Sequence, residues 1–358
     1  MLQTLSMSAA GPHLMAAPGF QRPTTRSETV SLRSAAALTH PAGTSGWLRQ
    51  RLKFLVRAWT QPRFTRAWLA RIVQPDLAPL WEARPRIATK LQRPYLCTEW
   101  GVPERFAALM GHYDALQHLV TAEARLAIYR EGVTLLTLVT PVSGRQLDVR
   151  LFYRDQFEKE GELTLAIDDP ATGLTLAGLT FCLFRDGAQR GLAIGGLQAS
   201  PDPRIRGLIH DVAKEMHGLR PKALALWCLQ QLAEAWNVSQ IQAVGDERHI
   251  YRHRHKRREF AASYDEFWSE SDGRRLSGGG SWELPLQLRP RSREELKPSR
   301  RKAHERRYAM LAALQPRLLS AIASLAPGGT TAVAAPCEMA ASHETTSSRE
   351  LVAPLHSF

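Results

Sequence analysis

Cysteine is scarce in this sequence. Four residues in 358, Cys97, Cys182, Cys228 and Cys337, lie far apart. Small disulfide-stapled domains carry far more cysteine, and zinc sites place their ligands in closely spaced pairs. The sequence therefore predicts no disulfide framework and no bound metal. It favours a reducing compartment, so we expect a cytoplasmic protein.

Long apolar runs are also missing. A spanning helix needs about 18 to 20 successive apolar residues, and no stretch approaches that length. The N-terminal stretch lacks the apolar core of a secretory signal, because Gly11, Pro12 and His13 interrupt it. We expect no transmembrane segment, with the inner-membrane surface as the one peripheral location left open. Walker, nucleophile-elbow and paired zinc-ligand motifs are absent, which argues against NTPases and common hydrolases.

Acidic residues are few relative to basic ones. The 34 Asp and Glu residues face 47 Lys and Arg residues, a formal net charge of +13. A charge of this sign favours an anionic partner. Nucleic acid, an anionic membrane surface and a phosphorylated small molecule all fit, and the charge alone does not choose among them.

Composition and periodicity divide the chain into four regions. Residues 1–45 are rich in small residues and predict a disordered arm, and residues 319–358 predict a disordered tail. A helical N-terminal region covers 46–130, with a basic amphipathic helix or helix pair broken near Pro62. That segment either packs on the domain or lies on anionic lipid. Residues 131–318 form the core.

The core begins with strand-like runs and continues with helices. Alternating apolar residues between 131 and 199 indicate antiparallel hairpins, followed by helices over 204–237 and a strand at 239–244. The order β-β-β-β-α-α-β predicts an α+β fold: a mixed, mainly antiparallel sheet with packed helices. We expect the helix that starts near Pro221 to cross the sheet through four residues on one face: Leu224, Trp227, Cys228 and Leu232.

This order of elements resembles the acyl-CoA N-acyltransferase (GNAT) superfold. The resemblance implies acyl-CoA as cofactor, with its pyrophosphate held by a Q/R-x-x-G-x-G/A loop at a helix start. Arg204 and Gly207 supply part of that motif, although Ile209 replaces its small last residue. Gly218, Arg220 and Lys222 offer a second site, because Pro221 suits the first position of a helix and two cations lie beside it.

Several separated motifs are similar to the VirK/YbjX family of bacterial proteins. They occur in order between about Pro85 and Leu314: RPYL (93–96), GHYDAL (111–116), IGGLQ (194–198), HGLRPK (217–222), His249, ASYDEFW (262–268) and WELPLQL (282–288). The resemblance links the chain to virulence and to tolerance of cationic antimicrobial peptides in Gram-negative bacteria. It implies no catalytic residue.

Two residues are candidate catalytic groups. His217 lies beside the basic helix start and titrates near neutrality, as a general base should, although it also suits a helix end. Asp265 is flanked by aromatic residues and could orient an amine or a hydroxyl, or instead cap a helix or pair with an arginine. The basic run 246–260 favours phosphate or acidic lipid over a metal, because its cations repel a divalent ion. A solvated loop with no ligand is the other interpretation of the run.

Two functions follow. The first is an acyltransferase-like protein that binds a phosphorylated acyl donor at Arg220 and Lys222, with His217 or Asp265 near the acceptor, and acts in envelope modification or antimicrobial-peptide tolerance. The second is a non-catalytic basic module that binds an anionic membrane surface or nucleic acid through residues 48–72, 248–258 and 289–307.

Overall fold

The structure is a computed structural model that describes residues 30–251, 263–277, 279–292, 294–328 and 337–338. Its helices are α1 (Leu32–Thr39), α2 (Trp47–Thr60), α3 (Pro62–Ile72), α4 (Ala78–Ala83), α5 (Val102–Leu119), α6 (Ala122–Arg130), α7 (Ile205–Glu215), α8 (Pro221–Ala235), α9 (Tyr264–Glu270) and α10 (Pro298–Ser324), with 3₁₀ turns at Pro85–Gln92 and Asp155–Phe157. Its strands are β1 (Val133–Val139), β2 (Gln146–Phe152), β3 (Leu163–Asp169), β4 (Leu174–Asp186), β5 (Gln189–Gln198), β6 (Gln240–Val244), β7 (Arg274–Arg275), β8 (Ser281–Leu284) and β9 (Cys337–Glu338).

All nine of these strands form one sheet, in the order β7-β8-β6-β5-β4-β3-β2-β1-β9. Strands β1 to β5 pair antiparallel in chain order, and α7 and α8 then carry the chain over to β6, which lies parallel to β5. β8 and β7 continue the sheet antiparallel beyond β6. The predicted α+β class, with a mixed, mainly antiparallel sheet and a helical N-terminal extension, is confirmed.

Helices cover the sheet and share one core with it. α8 packs on β3 and β4, and its predicted face is buried, with Leu224, Cys228 and Leu232 at 0% exposure and Trp227 at 6%. α5 packs on β4, and α10 lies against α8 and β1. The N-terminal helices join the same apolar core through residues such as Phe54 and Trp68. Within the described residues no helix combines the length and apolarity needed to cross a membrane.

Two boundaries and one strand count differ from the sequence-based expectations. Part of the expected disordered arm is helix α1, because Ala35 and Ala36 are small enough to pack into the core. α10 continues into the expected tail as far as Ser324, anchored by the buried Ile322. The expected hairpin region also differs in its number of strands. It holds five strands before α7 instead of the four in the predicted order, since the turn at Asp169–Gly173 divides one long apolar run into β3 and β4.

Strands β5 and β6 separate halfway along β5. Their parallel pairing runs from Gly191/Gln240 to Ile194/Ala243 and then stops, while β5 continues to Gln198. At the same point β5 has a bulge against β4, where the pairing moves from Phe181/Ile194 to Thr180/Gly196 and passes over Gly195. A bulge bends its strand and increases the local twist. The bent end of β5 therefore leaves β6 and opens a wedge in the sheet.

Candidate functional site

A cleft of about 750 Å³ lies at the C-terminal end of β5. Its walls come from the start of β4, the end of β5 with the following loop, and the first turns of α7, α8 and α9. Apolar side chains such as Leu176, Leu197 and Ile209 line much of it, and Arg206, Arg220 and Lys222 border it. Largely apolar clefts with a few converging polar groups are typical small-molecule sites.

Tyr264, the first residue of α9, takes the place of β6 as the hydrogen-bonding partner of β5 beyond the point where the two strands separate. Its hydroxyl accepts a hydrogen bond from the backbone N–H of Leu197 at 3.1 Å and donates one to the carbonyl oxygen of Leu197 at 2.9 Å. α9 is fixed there because Asp246, just after β6, accepts hydrogen bonds from the Ser263 hydroxyl and the Tyr264 N–H. The wedge is thus held open by a specific contact.

Glu160 fills the base of the wedge. Its side chain is 0% exposed, and its Oε1 accepts a hydrogen bond from the Gln198 amide at 2.6 Å. Its Oε2 lies against Gly196 and has no hydrogen-bond partner among the described residues. A buried carboxylate oxygen without a partner is costly unless it serves a function or meets a group that binds later. Gln198 itself lines the cleft and separates Glu160 from it.

His249 forms a buried pair with Glu160. The distance from His249 Nε2 to Glu160 Oε1 is 3.3 Å, and both side chains are at most 1% exposed. His249 Nδ1 accepts a hydrogen bond from the Tyr251 N–H at 3.3 Å, which in the neutral imidazole assigns the proton to Nε2, facing the carboxylate. The imidazole also packs edge-on against Tyr264 at 4.9 Å.

The RPYL segment and Cys97, the residue that follows it, contact the backbone on both sides of this pair. Leu96 N–H donates to the Lys159 carbonyl oxygen at 2.7 Å, beside Glu160, and Cys97 forms a β-bridge with His249. RPYL, IGGLQ, His249 and ASYDEFW, four of the motifs that carry the family resemblance, thus meet around Glu160. Motifs far apart in sequence are brought to one place.

Two cations at the start of α8 also border the cleft. Arg220 donates to Glu270 at 2.5 Å, and the Lys222 ammonium lies 3.9 Å from the same carboxylate and 4.4 Å from the Phe267 ring centroid. Burial and the neighbouring Arg220 lower the pKa of Lys222. Because two cations share one carboxylate at a helix start without a side-chain cap, this corner attracts an anion.

His217 and Gly218 end α7 and do not line the cleft. Both have positive φ angles, 54° and 78°, and the Gly218 N–H closes the helix by donating to the Ala213 carbonyl oxygen. Arg307 on α10 fixes this turn by donating to the His217 carbonyl oxygen. Burial, together with Arg306 and Arg307, lowers the pKa of the His217 imidazole. The turn sets the direction of α8, which is a positioning role.

The first phosphate motif lies in helix α7 instead of a loop. Arg204 pairs with Asp202, which lines the cleft, and its hydrogen bonds hold the pKa of that carboxyl at about 2. Gly207 is the third residue of α7 and faces open space, so nothing in its surroundings requires glycine. Neither Arg204 nor Gly207 lines the cleft.

Asp265 lies on the side of α9 away from the cleft. Its Oδ1 accepts hydrogen bonds from the Trp282 indole at 2.8 Å and the Asp246 N–H at 3.2 Å, and Arg275 lies 3.7 Å from its Oδ2. These contacts tie α9 to β8 and to the end of β6. Of the predicted site residues, the structure brings Arg220 and Lys222 to the cleft and leaves His217, Gly218, Arg204, Gly207 and Asp265 outside it.

Sequence reasoning missed Glu160. The run Glu158-Lys159-Glu160-Gly161-Glu162 resembles a solvated loop, since glutamate is rarely buried without a partner. All three glutamates are nevertheless buried. One signal was present: acidic residues that alternate with period two directly before an apolar strand indicate a strand-like face. Among the described residues no group of three His, Cys, Asp or Glu could hold a metal, and residues 252–260 of the basic run lie outside them.

The structure defines an α+β protein with a cation-bordered cleft above a buried Glu–His pair. The family described as "Protein of unknown function (DUF535)" matches residues 44–319. The chain is 33% identical over 279 residues to the "Uncharacterized protein YbjX" of Escherichia coli (strain K12), covering 76% of this chain and 84% of that protein. It therefore belongs to the DUF535 family of YbjX, as its motifs predict.

A second relative covers less. An "Uncharacterized protein" of Haemophilus influenzae (strain ATCC 51907 / DSM 11121 / KW20 / Rd) is 28% identical over 120 residues, which are 34% of this chain and 40% of that protein. No solved structure matches the chain.

Proposed function

We propose that the chain transfers an acyl group from a phosphorylated thioester donor of the acyl-CoA class to an amine or hydroxyl acceptor. One observation carries the proposal: a single cleft is lined by the cations Arg220 and Lys222 and by Gln198, behind which lies the buried Glu160–His249 pair. The crossover from antiparallel strands through helices to a parallel strand supports the likeness to acyl-CoA N-acyltransferases.

In the proposed reaction, Arg220 and Lys222 bind the donor's phosphates, and the apolar walls take its acyl and thiol-carrying chain. The acceptor attacks the thioester carbonyl carbon, so a C–N or C–O bond forms and the C–S bond breaks. Glu160, reached when the Gln198 side chain turns aside, takes the acceptor's proton, and His249 holds the carboxylate in place. The thiolate leaves and takes up a proton. The family resemblance suggests an acceptor in the bacterial envelope.

Donor binding is the first test. We expect acetyl-CoA or a longer acyl-CoA to bind the full chain, and Arg220→Gln with Lys222→Gln to weaken binding by about tenfold for each lost charged hydrogen bond and to reduce its salt dependence. Calorimetric titration measures both effects. The matched control, Arg289→Gln, removes an arginine from another exposed Arg–Glu pair and should bind as the unaltered chain does. Equal affinity in all variants would contradict the donor site.

Glu160→Gln tests the chemistry separately. The amide keeps the shape of the side chain but cannot take a proton, so donor binding should persist while transfer to a panel of primary amines and alcohols falls by about 100-fold or more. Release of the free thiol, followed with each acceptor, measures the rate. Transfer at the unaltered rate by Glu160→Gln would remove Glu160 from the mechanism.

A further inference from the structure

Helix α2 presents an apolar stripe to the surface. Leu48, Leu52, Val56 and Trp59 are 65%, 61%, 53% and 81% exposed, while Phe54 and Ala58 on another face are buried against the core. Spacings of four, four and three residues place the exposed side chains within an arc of about 100° along the helix. A monomer gains nothing by exposing a continuous apolar stripe, and such stripes mark interaction surfaces.

The surroundings of the stripe are cationic. Arg49 and Lys53 are exposed on the flank of α2, and Arg63 and Arg66 are exposed on the next helix. No aspartate or glutamate occurs from Val30 to Pro75. Apolar residues bordered by cations, on a helix of 14 residues that extends about 21 Å, are typical of helices that lie in the plane of a membrane surface.

A small polar pocket lies beside the C-terminal end of this helix. Its volume is about 330 Å³, and Arg57 and Arg105 line it together with Thr60, Thr65 and Gln92, with no carboxylate among the described residues of its wall. Arg105 Nε and Gln92 Oε1 are buried there without hydrogen-bond partners. Burial and, less strongly, Arg57 lower the pKa of Arg105, while the nearby Glu104, which does not line the pocket, acts in the opposite direction. Two arginines that line one pocket, with no carboxylate among the described residues of its wall, form a site for an anion of phosphate size.

We propose that α2 docks the chain on an anionic phospholipid surface, with the stripe in the acyl boundary and a lipid phosphate between Arg57 and Arg105. The pocket favours lipid over a protein partner, because lipid offers a phosphate directly beside apolar chains. The proposal is independent of acyl transfer. It also corrects the expected membrane segment, residues 48–72: Trp68 in α3 is buried, with its indole donating to the Ile87 carbonyl oxygen, so α2 alone provides the apolar contact.

The experiment is co-sedimentation of the full chain with vesicles of phosphatidylcholine alone or mixed with phosphatidylglycerol. We expect binding to the mixed vesicles only. Arg49→Gln with Lys53→Gln should weaken it by about 30-fold, since each cation near an anionic surface contributes about fivefold. Arg300→Gln with Lys302→Gln on α10 removes the same charge from another exposed helix and should bind unchanged. Arg105→Gln should weaken binding about fivefold.

The apolar stripe is tested with Leu48→Gln, Leu52→Gln and Val56→Gln together, which should reduce binding by at least about 100-fold because the buried apolar area is lost. Val142→Gln with Leu286→Gln, exposed apolar residues elsewhere, serves as the control. A blue shift of fluorescence on mixed vesicles should disappear in Trp59→Phe. Circular dichroism of each variant checks folding, which the exposed positions should preserve and which the half-buried Arg105 makes necessary to confirm.

Three outcomes would overturn the proposal: equal binding to neutral vesicles, stripe variants that sediment as the unaltered chain does, or a stripe variant whose main effect is to dissociate a dimer. The last result would assign α2 to a second copy of the chain. Because none of these variants touches the cleft, acyl-CoA binding should remain unchanged in all of them, and the two proposals can fail separately.

Discussion

Two buried glutamates, Glu160 and Glu162, stand two residues apart and have opposite surroundings. Glu162 is fully satisfied: Lys90 Nζ lies 2.7 Å from its Oε1, and the Tyr113 hydroxyl donates to its Oε2 at 2.6 Å. Glu160 lies below the cleft, with a histidine and an amide on one oxygen and no described partner on the other. Both are essentially unexposed.

The contrast separates a structural carboxylate from a candidate reactive one. A buried charge with a complete set of partners is fixed, because any movement breaks several short contacts. A buried charge that has one oxygen without a partner and lies behind a side chain of a cleft keeps capacity for a proton or a hydrogen bond from a ligand. Burial alone would rank the two residues equally, and only the list of partners distinguishes them.

The largest expected effect comes from removing the partner of Glu162. Lys90→Met leaves a buried carboxylate with Tyr113 alone and should lower the free energy of unfolding by about 3 to 5 kcal/mol. Urea denaturation measures the change. Arg274→Gln, which breaks the exposed pair with Glu283, should cost less than about 1 kcal/mol. If Lys90→Met lowers the free energy of unfolding no more than Arg274→Gln does, the contacts of Glu162 do not stabilise the fold as the comparison with Glu160 requires.

Adding Glu162→Gln to Lys90→Met sharpens this test. The double variant no longer buries a charge, so it should recover part of the lost stability. The same logic predicts that Glu160→Gln is mild, because His249 and Gln198 remain and no charge is left uncompensated.

The second effect concerns Gly195 and Gly196, which leave space for Glu160 because they have no side chain. A Cβ on Gly195 would overlap the backbone carbonyl oxygen of Glu160, which cannot move as a side chain end can. Gly195→Ala should therefore destabilise the fold by about 1 to 3 kcal/mol and reduce acyl-CoA transfer by displacing Glu160. Gly207→Ala meets no atom within 4 Å and should be neutral or stabilise α7 by up to about 1 kcal/mol. Thermal unfolding compares the two.

Gly207→Ala also distinguishes the two phosphate motifs. If Arg204 and Gly207 bound the donor as the superfold motif implies, an added methyl group at Gly207 should weaken acyl-CoA binding. We expect unchanged affinity, because the cleft is bordered by Arg220 and Lys222. A loss of affinity in Gly207→Ala would restore the first motif.

The sequence predicts local structure better than it predicts the site. The apolar face of α8 and the separate strands follow from periodicities of 3.6 and 2, which depend only on neighbouring residues. The strand pair β7–β8 was missed because β7 has two residues and β8 four. Glu160 was missed for another reason: its contacts, Gln198 and His249, lie 38 and 89 positions away, and no local pattern encodes them.

The smallest expected effect is a pH dependence of stability that arises from His112, a neighbour of the residues that contact Glu162. His112 is fully buried, accepts a hydrogen bond from the Leu183 N–H at its Nδ1, and lies edge-on to Tyr113. Burial, with Lys90 adding to it, lowers the pKa of His112 well below its ordinary value. Burial therefore keeps His112 neutral, and the cation that satisfies Glu162 adds to this effect.

The sign of this dependence follows from proton binding. Below about pH 6.5 the unfolded chain protonates His112 and the folded chain does not, so stability falls as the pH falls, by up to about 1.4 kcal/mol per unit. From pH 6.5 to 5.5 we expect a loss of about 1 kcal/mol from this residue. His112→Asn keeps an acceptor for Leu183 N–H and should be less stable at pH 7.5 but lose less on acidification. Urea-denaturation midpoints measured across this range compare the unaltered chain with His112→Asn. If the two midpoints change equally with pH, His112 binds its proton equally well in the folded and unfolded states, and Lys90 acts on Glu162 alone.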